Sequence, residues 1–146
     1  MEPLNTILPE SQHCQRNWDL SKSIDPAHLE IFKIAVKSAP SKQNDKYFRV
    51  TFNQNRELIR QVYDLTGTYI RGDITKNPQV LAQLQVIFWN DSDPEEMWSF
   101  CRRNDDNVDS KTNENMSVGI ASGYLNLVAH MLGYKTGYCV CFDGDK

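Results

Sequence analysis

Hydrophobic and polar positions follow two rhythms along this chain, and each rhythm predicts its own elements. Apolar residues stand at 29, 31, 32, 34, 35 and 36, the wide stripe of an amphipathic helix. Asp25 is a natural N-cap and Pro26 suits the first helical position. Pro40 stops the run, because the residue before a proline avoids the helical region. The pattern therefore predicts a helix over 26–38. Tyr47 to Phe52 alternates and is rich in β-formers, which predicts a strand. Asn55 caps a second predicted helix, 56–66, with Leu58, Ile59, Val62 and Leu65 as its stripe and Gly67 at its end. Residues 67–78 read as a loop broken by Pro78. The run 81–89 contains Leu-Gln-Val-Ile-Phe-Trp, a buried strand by length and side-chain type.

Residues 90–115 are strongly polar and read as a solvated lid or excursion, although Trp98 and Phe100 lie within it. A long helix over 115–132 follows, carrying Met116, Ile120, Leu127, Ala129, Met131 and Leu132, with Gly133 as its C-cap. Gly119 and Gly123 leave one side of that helix bare, which permits close packing either within the subunit or between subunits. A short strand over 138–142 ends the pattern, and residues 1–11 read as an arm leading into a domain over 12–146. The order of helices and strands points to an α+β or α/β domain around one sheet.

Composition narrows the function classes. The chain has 146 residues, 40% of them hydrophobic, which suits one domain with a real core. Its formal charge is −3 and its pI about 5.6, which speaks against a nucleic-acid-binding surface. There is no apolar run of membrane-spanning length and no secretory pattern at the N-terminus, so the expectation is a cytoplasmic protein without a membrane partner. The four cysteines (Cys14, Cys101, Cys139, Cys141) are then expected to be reduced thiols. Cys139 and Cys141 form C-x-C with no second ligand pair nearby, so packing rather than metal binding is the expected role. Phosphate-loop, dinucleotide-turn and nucleophile-elbow motifs are all missing.

Two polar clusters remain, one on each side of the helix 26–38. Gln12-His13-Cys14-Gln15-Arg16 offers a guanidinium fork and an imidazole, and Pro40-Ser41-Lys42-Gln43-Asn44 offers a polar turn. Cations and hydrogen-bond donors at the ends of a buried helix suit an anionic ligand. Taken singly, an Arg near a His is usually a surface pair, and Ser and Asn after a helix are usually turn chemistry.

In order and spacing the clusters resemble the nitroreductase family of FMN-dependent oxidoreductases. That family opens with Arg-(Arg/His)-Ser-x-(Arg/Lys) and, one helix later, has Pro-Ser-x-x-Asn. Ile24-Asp25-Pro26 resembles the start of its intervening helix. Asn77-Pro78-Gln79-Val80-Leu81 running into Val86-Ile87-Phe88 resembles its turn before a central strand, and Leu132-Gly133-Tyr134-Lys135-Thr136-Gly137 resembles its long-helix end. The resemblance implies an α+β fold with a central mixed or antiparallel sheet flanked by helices, and FMN at the interface of a homodimer. It implies that Gln12, His13, Cys14 and Arg16 hold the FMN phosphate and ribityl chain, with Arg16 the main cation. Pro40, Ser41, Lys42 and Asn44 would lie along the ring and ribityl groups. Asn77 would meet the pyrimidine edge, and Val140 and Cys141 would pass the redox-active edge. Gln12 and Cys14 stand where the family has Arg and Ser, and the family usually continues past the position of Lys146 with a further strand and extension.

The function implied is hydride transfer from NADH or NADPH through the flavin to an electron-poor small molecule such as a nitroaromatic or a quinone. No side chain need act as a nucleophile, because the cofactor carries the chemistry. A second reading keeps the scaffold with little or no flavin and makes the chain an interaction protein. A third keeps the flavin for a narrower reaction, such as reductive dehalogenation.

Overall fold

The structure, a computed structural model, describes residues 3–44, 48–70, 73–90 and 110–139. Within them the chain is α+β. Four helices are present among the described residues: α1 (Leu4–Glu10), α2 (Pro26–Ser38), α3 (Arg56–Leu65) and α4 (Ser110–Met131). The strands are β1 (Phe48–Asn53), β2 (Thr68–Ile70), β3 (Asp73–Thr75) and β4 (Gln85–Asn90), with one-turn 3-10 helices at Lys42–Asn44 and Pro78–Leu81.

Capping fixes the helix ends where the sequence places them. Asp25 accepts a hydrogen bond from the Ala27 amide at 2.8 Å, and Pro26 occupies the first turn of α2. Ala39, just before Pro40, is extended (φ −59°, ψ 133°) and ends the helix. Asn55 caps α3 by accepting from Glu57 N and Leu58 N. At the end of α4, Gly133 takes φ +83°, with Gly133 N donating to His130 O and Tyr134 N to Ala129 O. This paired arrangement is the Schellman close, which needs a residue free to adopt positive φ.

β1 and β4 pair antiparallel with Val50 opposite Phe88, and β2 and β3 form a short antiparallel hairpin. The core lies between the β1–β4 ribbon and the helices. Val36 of α2, Ala39 just past its end, Phe48 of β1 and Ala121 of α4 are buried together, with Val50, Phe52, Phe88, Val118 and Leu125 packed around them. Phe48 and Phe88 meet edge to face at 5.2 Å. Tyr134 fastens the end of α4 to the start of α2. Its hydroxyl accepts from Asp25 N at 3.2 Å and bonds His28 Nδ1 at 2.9 Å, and its ring stands edge-on to Phe32.

Four expectations need correction. The single central sheet is, among the described residues, two separate two-stranded antiparallel sheets. The loop 67–78 contains the β2–β3 hairpin. The arm over 1–11 carries α1, with Ile7 buried. The long helix begins at Ser110, five residues before the position expected. Of the expected strand 138–142, Tyr138 and Cys139 are irregular and the rest lies outside the described residues, as does most of the polar run 90–115.

Candidate functional site

The first cluster sits where three segments meet. Gln15 N donates to Thr136 O at 2.9 Å, which lays residues 12–16 along the chain that follows α4. Gly137 is packed so closely there that a Cβ on it would stand 3.3 Å from Gln15 O and 3.5 Å from Gln79 Cγ. Trp18 Nε1 donates to Pro78 O at 2.9 Å, drawing in the segment around Asn77. The chain then turns back along α4, where Tyr138 donates its hydroxyl hydrogen to Ser122 O at 2.7 Å. Burial pushes the Tyr138 phenol above its ordinary pKa, so it remains a donor at neutral pH. Gln12, His13, Cys14 and Arg16 are all exposed around this junction, available to an anionic ligand.

Asn77 is bonded within the chain in this structure. Its Oδ1 accepts from Gln79 N at 3.1 Å and caps the 3-10 helix Pro78–Leu81. Its Nδ2 donates to Gln79 Oε1 at 3.1 Å and to Cys139 Sγ at 3.0 Å. Both amide hydrogens are therefore engaged inside the chain, and the residue is buried. Asn77 positions the junction and has no donor left for a ligand in this conformation. Val140 and Cys141 lie outside the described residues.

The second cluster builds a cleft. After α2 ends, Lys42–Asn44 forms one tight turn, with Asn44 N donating to Ser41 O at 3.0 Å. Asn44 closes that turn at φ +62°, a left-handed conformation that asparagine tolerates better than most residues. The turn faces the N-terminal half of α4. Pro40, Ser41 and Lys42 on one side and Asn113, Met116, Ser117 and Ile120 on the other enclose a space of about 140 Å³. Met116 and Ile120 give it an apolar wall, while Asn113 and Ser117 are buried polar residues one helical turn apart. Ser41 Oγ is buried with no hydrogen-bond partner among the described residues. Buried hydroxyls are nearly always paired, so this one calls for a partner such as a water, an ion or a ligand atom.

The two clusters share α4 as a spine but occupy different stretches of it. The cleft spans residues 113–120, whereas Tyr138 meets Ser122, roughly 3–14 Å farther along the axis at about 1.5 Å per residue. The α4 residues of the cleft escaped the sequence reading. Their signal is spacing: Asn113, Ser117 and Ala121 recur every four residues and are all buried, but two of the three are polar and so do not register as an apolar stripe.

No family model matches the sequence, and no curated protein matches it. Among solved structures, a candidate NAD(P)H:FMN oxidoreductase of Staphylococcus epidermidis superposes with a TM-score of 0.73 at 18% identity. The match covers 99% of this chain and 76% of that one. The likeness establishes the fold: this chain shares the architecture of that protein, in agreement with the nitroreductase-like fold expected from its motifs.

Proposed function

We propose that the chain is an FMN-dependent oxidoreductase that takes hydride from NADH or NADPH and delivers it to an electron-poor small molecule of nitroaromatic or quinone type. The observation that carries this reading is the orphaned Ser41 Oγ in the cleft against α4, on a fold shared along 99% of the chain with a candidate NAD(P)H:FMN oxidoreductase. The residues present fit the cofactor's chemistry. Arg16 offers a fork of charged N–H donors to a phosphate, and His13 beside it adds a shorter donor. Ser41 holds a hydroxyl in need of a partner, and Lys42 brings a positive charge to the same cleft, where it favours negative charge on a bound ring. Met116 and Ile120 supply apolar surface on which a flat ring would pack. FMN, when bound, accepts hydride from the nicotinamide and passes it to the second substrate.

Dimerisation belongs to the same proposal. α4 presents Met116, Ile120 and Tyr124 exposed beside Gly119 and Gly123. A Cβ added to either glycine would meet nothing within 4 Å, so packing among the described residues of the subunit does not require them. A second α4 approaching this bare stripe would bring the cleft of one subunit toward the 12–16 cluster of the other. Each flavin would then be held by both subunits. The scaffold without flavin, acting as an interaction protein, is the competing reading, favoured by Gln12 and Cys14, which leave Arg16 as the one fixed cation of its cluster.

The test is a visible absorption spectrum of the purified chain after incubation with excess FMN and removal of what is free. Retained flavin bands that NADH or NADPH bleaches without oxygen support the proposal. A colourless protein moves the assignment to the interaction scaffold.

A further inference from the structure

Asn113, Met116, Ser117 and Ile120 stand at i, i+3, i+4 and i+7, so the α4 side of the cleft is one face of the helix. Met116 and Ile120 are 59% and 37% exposed and offer apolar surface. Asn113 and Ser117 are only 7% and 3% exposed, yet neither side chain makes a hydrogen bond among the described residues. Ser41 Oγ on the other side of the cleft is in the same condition. Polar groups held this far from bulk water are ordinarily paired, so three around one space point to an occupant that hydrogen-bonds. An asparagine amide brings two N–H donors, each serine hydroxyl one, and Lys42 can only donate. No carboxylate is among the described lining residues, so the balance favours an occupant with hydrogen-bond-accepting oxygens.

Volume then limits its size. The space is about 140 Å³. An apolar cavity of about 150 Å³ holds one benzene, whereas pockets for drug-sized ligands run from roughly 300 Å³ upward. The cleft encloses one six-membered ring, and three fused flavin rings exceed it.

We propose that the interior of the cleft is the pocket for the electron-accepting substrate and admits a single six-membered ring bearing nitro or quinone oxygens. Met116 and Ile120 pack on the ring, and Asn113 and Ser117 donate to its oxygens. The inference rests on the oxidoreductase reading and narrows its second substrate; the cofactor borders the cleft at Ser41 and Lys42 without filling it.

The pocket can be tested without flavin. Methyl NMR of the full apo chain follows Met116 and Ile120 during titration with nitrobenzene, with toluene as an apolar ring of similar size and 1-nitronaphthalene as a two-ring analogue. A quinone is a poorer probe, because it would add to the exposed Cys14 thiol. Both methyl signals should shift saturably with nitrobenzene. Its affinity should exceed that of toluene about 3- to 10-fold, the effect of a net hydrogen bond. It should exceed that of 1-nitronaphthalene at least about tenfold, because the second ring overfills the space. Asn113→Leu combined with Ser117→Ala should keep toluene binding and erase the advantage of nitrobenzene over it.

Absence of a saturable shift at these methyls overturns the pocket, and equal affinity for the two-ring analogue overturns its size limit. Both are read on the wild-type chain, whatever the variant's fold. Ser117→Ala alone, a small change inside a helix, should already reduce the nitrobenzene advantage; an advantage untouched in both variants overturns the donor roles. FMN retention is measured separately on the same chain. Bound flavin without nitrobenzene binding removes this pocket and leaves the cofactor assignment standing. Nitrobenzene binding in a chain that retains no FMN overturns the pocket's role as a substrate site.

Discussion

Ser41 and Arg16 make opposite demands on the folded chain, and substitution separates them. Ser41 Oγ is buried without a partner, a condition that costs the apo protein about 1–3 kcal/mol in lost hydration. Ser41→Ala removes the unpaired group, so the apo chain should unfold at equal or higher urea, by about 1 kcal/mol at most, while FMN affinity falls roughly 3- to 10-fold. Loss of stability in the apo variant would mean that the hydroxyl has a structural partner and is not waiting for a ligand. Arg16 is exposed, so Arg16→Ala should leave the urea midpoint within about 0.5 kcal/mol. It should nevertheless weaken FMN binding at least about tenfold, as expected for a hydrogen bond to a charged group. Flavin titration that found wild-type affinity in that variant would remove Arg16 from the site.

Elements were legible wherever end signals and periodicity agreed. Asp25-Pro26 and Pro40 bracket α2 as expected, and Asn55 opens α3. The misses share a physical cause, the absence of an apolar period. The first turns of α4 are polar, and their buried side is Asn113 and Ser117, so the start at Ser110 was hidden inside a polar run. β2 and β3 are three residues each, too short to show alternation. Pro78–Leu81 coils as a 3-10 turn because Asn77 caps it and Arg56 Nη1 donates to Leu81 O and Ala82 O at its end, tertiary bonds that no local pattern announces. The site divides the same way. The clusters at 12–16 and 40–44 are visible as motifs, but the α4 wall of the cleft and the internal engagement of Asn77 depend on contacts far apart in sequence. α3 offers a clean element-scale test. It buries Ile59 fully but leaves Leu58 48% exposed, so its apolar seam is narrow and its N-cap matters more. Asn55→Ala removes an acceptor for two amides and should cost about 1 kcal/mol, seen as a lower urea midpoint with unchanged slope. An unshifted midpoint would mean that water replaces the cap without loss.

For the whole molecule, the question is whether one subunit suffices. The cleft at 113–120 and the junction at 12–16 lie on different stretches of α4, and the proposal is that a ligand held by both clusters is shared across a subunit boundary. Gly123 tests that arrangement without touching either cluster. It is exposed, and a side chain there has room: a Cβ would meet nothing within 4 Å. Glycine inside a helix is also about 0.8–1.0 kcal/mol less favourable than alanine, and leucine is nearly as good as alanine. Gly123→Leu should therefore leave the isolated subunit folded, or stabilise it by somewhat under about 1 kcal/mol, while its bulk prevents a second α4 from approaching the bare stripe. Sedimentation should then show a dimer in the wild-type chain and a monomer in the variant, and the variant should lose bound FMN together with the dimer. A variant that stays dimeric places the subunit contact elsewhere. A monomeric variant that holds FMN as tightly as wild type shows that both clusters of one subunit serve the same flavin, and the shared site would have to be abandoned.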